Sequence, residues 1–189
     1  MSVWPNRIII LLSCLGVYIA GVLSYSHFAN LLVPCSSGSS CATVAVSAYS
    51  VIPPGSASGV PVAYLGLAAY ATLFCLSVFR FLYPVSWKLT SKIGFWMSIA
   101  GVAFSFWLTF ASISFLHTTC EWCLGSFGTM IGMLFSHAWL MQTEAPTPKQ
   151  AGLNWGAVGL GLAGMITGFG IVTADMGKAR SGEVIELGN

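Results

Sequence analysis

The 189-residue chain carries 7 Lys+Arg and 5 Asp+Glu, so charged residues make up 6% of it, where a soluble domain carries roughly 25%. Hydrophobic residues make up 56% and the mean hydropathy is +0.83. So few charges exclude a water-facing globule, the apolar content excludes a disordered chain, and a net charge of +2 leaves no phosphate-tracking patch for nucleic acid. What remains is an integral membrane protein.

About 20 mostly apolar residues are needed to cross about 30 Å of hydrocarbon as a helix. Runs of that kind occupy about residues 8–33, 60–80, 93–116, 120–141 and 153–174. They are continuously apolar, without the period-two alternation of barrel strands. The first run is too long for the roughly 7–15-residue core of a signal peptide, and no A-x-A-like site follows it, so it reads as a retained helix. The expectation is an all-α membrane fold. Residues 1–174 form one five-helix domain, 34–59 form an outer loop, and 175–189 form a short polar outer tail.

The basic residues orient the chain. Arg7, Arg80, Lys88, Lys92 and Lys149 fall on connections at one side, and only Lys178 and Arg180 at the other. The positive-inside rule then places the N-terminus in the cytoplasm. Of the six cysteines, Cys14 and Cys75 fall inside spans, where a lone thiol acts as a small apolar side chain. Cys35, Cys41, Cys120 and Cys123 all fall on the outer side, where disulfides form and persist.

Cys120-Glu121-Trp122-Cys123 brings two sulfurs within disulfide reach at the start of the fourth span. Thr118 followed by Glu121 reads as a capping box, making Cys120 the second helical residue. Free N–H groups and the helix dipole there favour a thiolate, as would a protonated His117, while Glu121 opposes it; spacing does not rank these effects. A static bridge across so small a loop adds little stability. A four-cysteine zinc or copper site has permissible spacing, but an oxidising face favours disulfides. Thiol–disulfide exchange between the two pairs is the reading preferred over both. The serine-rich stretch 36–40 makes a flexible loop, 42–49 is read as an interfacial half-helix, and Pro53-Pro54-Gly55 ends it.

Taken in order, Cys35, Cys41, Ser47, the run Gly59-Val60-Pro61-Val62-Ala63-Tyr64-Leu65-Gly66 and Cys120-Glu121-Trp122-Cys123-Leu124 resemble the vitamin K epoxide reductase family, most closely its bacterial five-helix members. The resemblance spans about Arg7 to Met141. It implies a four-helix bundle around a quinone pocket, a fifth transmembrane helix and an outer loop/half-helix lid. It also implies a thiol:quinone oxidoreductase that supports disulfide bond formation at a bacterial cell (inner) membrane. On that resemblance Cys123 faces the quinone, ubiquinone or menaquinone, and Cys120 exchanges with Cys41. Cys35 meets a thioredoxin-fold, DsbA-like partner, and Ser47 positions the half-helix. Phe127 stands where vertebrate members have a tyrosine, and Ser58 lies near a substrate-contacting asparagine of those members. About 15 residues follow Ala174, too few for the thioredoxin-like domain fused in many bacterial members, so a separate partner is expected.

Candidate quinone-lining residues are Phe106, Phe110, Trp122 and Phe127. His27 and His137 read as interfacial or packing residues, and Trp4, Trp87, Trp139 and Trp155 as an aromatic belt. The pairs Gly152/Gly156 and Gly164/Gly168 suggest close packing of the fifth helix on a neighbour.

Overall fold

The computed structural model describes residues 4–31, 33, 44, 47–56, 59–144 and 148–187. Among them are the helices α1 (Trp4–Ala29), α2 (Val62–Leu82), α3 (Trp87–Phe115), α4 (Glu121–Met141) and α5 (Pro148–Leu187). Each contains a stretch long and apolar enough to cross a bilayer. Phe28, Trp96, Phe135, Leu160 and Ile166 stand exposed on the outside, an apolar surface suited to lipid rather than water. The chain is a multi-pass, all-α membrane protein.

Local chemistry moves several helix ends away from the limits of the apolar runs. α1 stops at Ala29, short of Val33, because Asn30 turns left-handed (φ 51°) and the Leu31 N–H donates to the Ser26 carbonyl at 2.9 Å. That is a Schellman closure, and it satisfies a carbonyl the helix would otherwise leave open. Val60–Pro61 belongs not to α2 but to a two-residue antiparallel ladder with Val51–Ile52, turned through Gly55 (φ 76°). α3 starts at Trp87 rather than 93, directly after a 3-10 turn over Pro84–Ser86. Lys88 and Lys92 interrupt the apolar run but not the backbone ladder, and both are exposed. α5 runs on to Leu187, so the expected tail after Ala174 is helical as far as that residue, with an exposed Asp175–Lys178 pair at 3.7 Å on its surface.

Helix α1 is the centre of the packing. It lies against α2, α4 and α5, while α3 closes the ring between α2 and α4. In lipid there is little hydrophobic drive between helices, so close fit must hold them. α5 obtains this fit at Gly161, against Cys14, and at Gly168, against Tyr18. Gly152, Gly156 and Gly164 have no atom near the place a side chain would take, so the packing pair is Gly161/Gly168 rather than the two pairs expected. Cys14 is buried, but Cys75 lies on an exposed face of α2.

The strongest polar feature lies at the end of the bundle away from the cysteine pair. Arg80 was expected on a connection, yet it is fully buried in the last turn of α2. Its Nη1 donates to Asn6 Oδ1 (3.1 Å), Nη2 to the Thr90 carbonyl (3.1 Å) and Nε to Thr90 Oγ1 (3.2 Å), with His137 Nε2 at 3.5 Å. His137 Nδ1 sits 3.2 Å from Ser98 Oγ, and its ring fills the space above Gly94 that any side chain there would occupy. Asn6 Nδ2 reaches the Ser77 carbonyl at 3.4 Å. Trp87 is also drawn in: it is buried, stacks its ring on the guanidinium at 5.9 Å and donates to the Thr143 carbonyl, so it is not part of an aromatic belt. α1, α2, α3 and α4 therefore meet at one guanidinium.

Replacing Arg80 with Met leaves Asn6, Thr90 and His137 without their partner, and should destabilise the protein by on the order of 3 kcal/mol. Adding Asn6→Leu and His137→Phe should restore much of the loss, because the whole polar set is then removed. Unfolding midpoints in mild detergent measure both effects, and a single Arg80→Met variant as stable as the parent would contradict the account.

Candidate functional site

At the other end the helices diverge around a cavity of about 460 Å3. α1 lines it with Ile19, Leu23 and His27, α2 with Leu65, Gly66 and Tyr70, and α3 with Met97, Gly101 and Phe104. From the α4 end come Cys120, Cys123, Ser126 and Met130. Ser47, Tyr49, Ser50 and Ile52, from the segment that precedes α2, complete the wall. The volume lies within the range of about 300–1,000 Å3 usual for small-molecule sites, and the lining is mostly apolar.

The cysteine pair is placed by the turn between α3 and α4. His117 adopts a left-handed conformation (φ 50°), which is uncommon for a residue with a side chain. Ser112 Oγ donates to the Thr118 carbonyl at 2.8 Å and the Thr118 N–H returns to the Ser112 carbonyl at 3.3 Å, clamping the reversal. The result differs from a Thr118 capping box. Cys120 itself is the N-cap, with extended backbone (φ −111°, ψ 116°), and its sulfur accepts the Cys123 N–H at 3.3 Å. Position 118 is still inside the turn, so the first open N–H groups fall to Cys120.

This geometry ranks the opposing effects on the Cys120 thiol. A hydrogen bond from the Cys123 thiol is the largest influence and lowers its pKa. Burial works upward, the backbone N–H groups of Cys123 and Trp122 work downward, and Glu121 works upward. The outcome is a thiol brought down to about 7, below its ordinary range, which favours the thiolate. Both cysteines are free thiols, Cys120 buried and Cys123 partly so.

Ser47 lies at the cavity wall, where its hydroxyl donates to the Val44 carbonyl at 2.8 Å and its own carbonyl receives the Ser50 N–H at 3.0 Å. These bonds close the 3-10 turn Ala48–Ser50 and stack Tyr49 on Phe115 at 5.6 Å. Val44 is helical and residues 48 and 49 belong to the 3-10 turn, while 42, 43, 45 and 46 of the half-helix expected over 42–49 lie outside the described residues. So do Cys35, Cys41 and Ser58.

None of the four aromatic residues expected to line a quinone pocket lines this cavity. Phe106 and Phe110 stack on each other on the exposed face of α3, Phe127 packs against Phe106, and Trp122 packs on Tyr18 of α1. The aromatic rings of the cavity are Tyr49, Tyr70 and Phe104, with His27 at its edge beside Tyr64. Tyr70 had a sequence signal: a tyrosine in mid-span must bury its hydroxyl with a partner. Ser126 had one too, since it follows Cys123 by three residues and so shares its helix face.

A helical membrane bundle with a dithiol at the rim of an apolar cavity is the architecture of a membrane thiol oxidoreductase. The sequence profile of the vitamin K epoxide reductase family matches residues 7–138, and the chain belongs to that family. The matched residues take in α1, α2, α3 and most of α4, the helices that enclose the cavity. Comparison with curated proteins returns no match. The family comprises membrane oxidoreductases that act on disulfides and quinones and work with thioredoxin-like partners.

Alkylation of Cys120 in the reduced protein, followed by mass spectrometry of its peptide, should reach half its maximal rate near pH 7. Cys123→Ala should move that midpoint upward by removing the hydrogen bond, and Glu121→Gln should move it downward by removing the like charge. A midpoint that neither substitution shifts would refute the assignment.

Proposed function

We propose that this protein passes electrons from an exported thiol protein through Cys35/Cys41 and then Cys120/Cys123 to a membrane quinone, and so supports disulfide bond formation. The observation that carries the reading is a free dithiol, its N-terminal member lowered to about 7, lining an apolar cavity between membrane-spanning helices. The cavity suits a quinone: its volume and mostly apolar walls accommodate a ring with part of a prenyl chain, and Cys123, Ser126 and Tyr70 bring polar groups to its wall.

The steps balance as follows. With Cys120–Cys123 oxidised, the Cys41 thiolate attacks the Cys120 sulfur and Cys123 leaves as a thiolate into the cavity. Cys35 then attacks Cys41 and displaces Cys120, whose low pKa makes it a good leaving group. The loop pair is now a disulfide that accepts two electrons from the partner's dithiol, with Cys35 as the sulfur attacked from outside. Cys120 and Cys123, both reduced, give up two electrons and two protons and re-form their bridge. A bound quinone supplies the two-electron, two-proton sink. Ubiquinone and menaquinone both have this chemistry, and the partner's class is a thioredoxin-fold, DsbA-like protein.

The face on which this happens is inferred from charge. Arg7, Lys88 and Lys92 stand at the ends of α1 and α3 away from the cysteine pair, so that end is cytoplasmic by the positive-inside rule and the cysteines face the exported compartment of a bacterial cell (inner) membrane.

Purified protein should oxidise a dithiol substrate only when quinone is present, and Cys123→Ser should abolish that activity without changing the unfolding midpoint. Cys41→Ala should leave Cys35 able to trap a thioredoxin-fold protein as a mixed disulfide. Quinone-dependent oxidation that persists in Cys123→Ser would refute the proposed route.

A further inference from the structure

Most serine and threonine hydroxyls in these helices fold back on their own backbone. Ser13 donates to the Ile9 carbonyl, Thr72 to Ala68, Ser98 to Gly94, Thr129 to Gly125 and Ser136 to Gly132. This is the usual way to satisfy a hydroxyl within a membrane span. Ser126 is arranged otherwise. Its Oγ lies 2.9 Å from Tyr70 Oη across the interface between α4 and α2, and Tyr70 Oη also lies 2.9 Å from the Ser126 carbonyl. Tyr70 is almost fully buried, and its ring lies flat on Gly16 of α1, in the space any side chain there would fill. The phenol is therefore held from three sides, and it holds the serine.

The two hydroxyls carry two protons between them. Either hydroxyl can donate across the Oγ···Oη contact, and when Tyr70 donates to Ser126 Oγ the serine proton is free to turn into the cavity. Both residues line the cavity, and Ser126 stands three residues beyond Cys123 on the same face of α4, a rise of about 4.5 Å. Of the other hydroxyls on the wall, Ser47, Ser50 and Ser112 donate to the carbonyls of Val44, Ser47 and Thr118, while Ser105 of α3 and Tyr49 stand on other elements, outside the α4 register that puts Ser126 three residues from Cys123. Phe127, the next residue, carries no hydroxyl and lies off the cavity.

We propose that the Ser126 hydroxyl, held in place by Tyr70, is the hydrogen-bond donor to a quinone carbonyl, and that this pair sets the preference of the cavity for a ring bearing that oxygen. This rests on the quinone reading above and names the residues that recognise the ring. Ser126 touches the ligand and Tyr70 acts through it as a positioning residue. A cavity without the pair would still take up an apolar ring by shape, but would not distinguish a quinone from a hydrocarbon of the same outline.

The test compares 2,3-dimethyl-1,4-naphthoquinone with 2,3-dimethylnaphthalene, which has the same ring outline and no carbonyls. Binding to the full chain in nanodiscs is measured by calorimetry in a Cys120→Ala/Cys123→Ala background, so that no turnover intervenes. The quinone should bind more tightly than the hydrocarbon. Ser126→Ala should weaken quinone binding about 3- to 10-fold, the span of one hydrogen bond, and leave hydrocarbon binding unchanged. Tyr70→Phe should act in the same direction, and Ser126→Thr should keep the preference. Should Tyr70→Phe fail to fold, the two serine variants decide the matter. Quinone affinity unchanged in Ser126→Ala, equal weakening of both ligands, or no preference in the parent would overturn the proposal. If that preference depends on Ser126 but the unmodified protein shows no quinone-dependent thiol oxidation, the proposed electron route fails while the binding assignment stands.

Discussion

The bundle is organised around a guanidinium that, among the described residues, has no acid beside it. Arg80 is buried among Asn6, Thr90, His137 and Trp87, and its charge is met by neutral oxygens, a ring nitrogen and an aromatic face. A cation inside a lipid-embedded bundle is tolerated only where its donors are satisfied, and here that requires α1, α2, α3 and α4 to stay together at one level. Because they are fixed there, they can part at the opposite end without the bundle coming apart. Between the two lies a packed layer of Ile9, Leu73 and Met133, with Tyr70 and Met130 marking where the packing gives way to the cavity. The cup thus depends on a polar fastening located well away from it.

At the open end the helix termini do the electrostatic work. α1 ends and α4 begins there, so carbonyls and N–H groups without helical partners collect around one rim. The Schellman closure at Asn30 uses up part of the first set, and the Cys120 sulfur draws on the second. Few charges are needed for this, which is how a chain with 6% charged residues can still tune a thiol. Glu121 is a carboxylate two residues from Cys123, and its upward effect on Cys120 is outweighed by hydrogen bonds.

Much of this was legible in the sequence, for reasons that can be traced. The five spans follow from hydropathy, because lipid imposes length and apolarity on every crossing segment. The Cys120/Cys123 pair follows from spacing. Three kinds of feature did not. Arg80 looked like the end of a helix because an apolar window stops at a charge, whereas the backbone continues wherever that charge can be satisfied. The cavity walls could not be assigned from aromatic content: Phe106 and Phe110 are on the same helix as Phe104, and only the rotation of α3 against its neighbours separates lipid-facing from cavity-facing rings. The Thr118 capping signature was correct in type and two residues early in position, because the left-handed His117 lengthens the turn. In each case the missing information was tertiary.

The N-cap at Cys120 links helix stability to oxidation state. A thiolate accepts the Cys123 N–H far better than a sulfur already committed to a disulfide, so the first turn of α4 is better capped when the pair is reduced. An N-cap contributes about 1 kcal/mol, and for a two-electron couple that is about 20 mV. The reduced form gains this stabilisation and the oxidised form loses it, which shifts the couple toward a more oxidising potential. One hydrogen bond at a helix end thus acts as a thermodynamic bias, making the pair a stronger acceptor of electrons from the thiols that reach it.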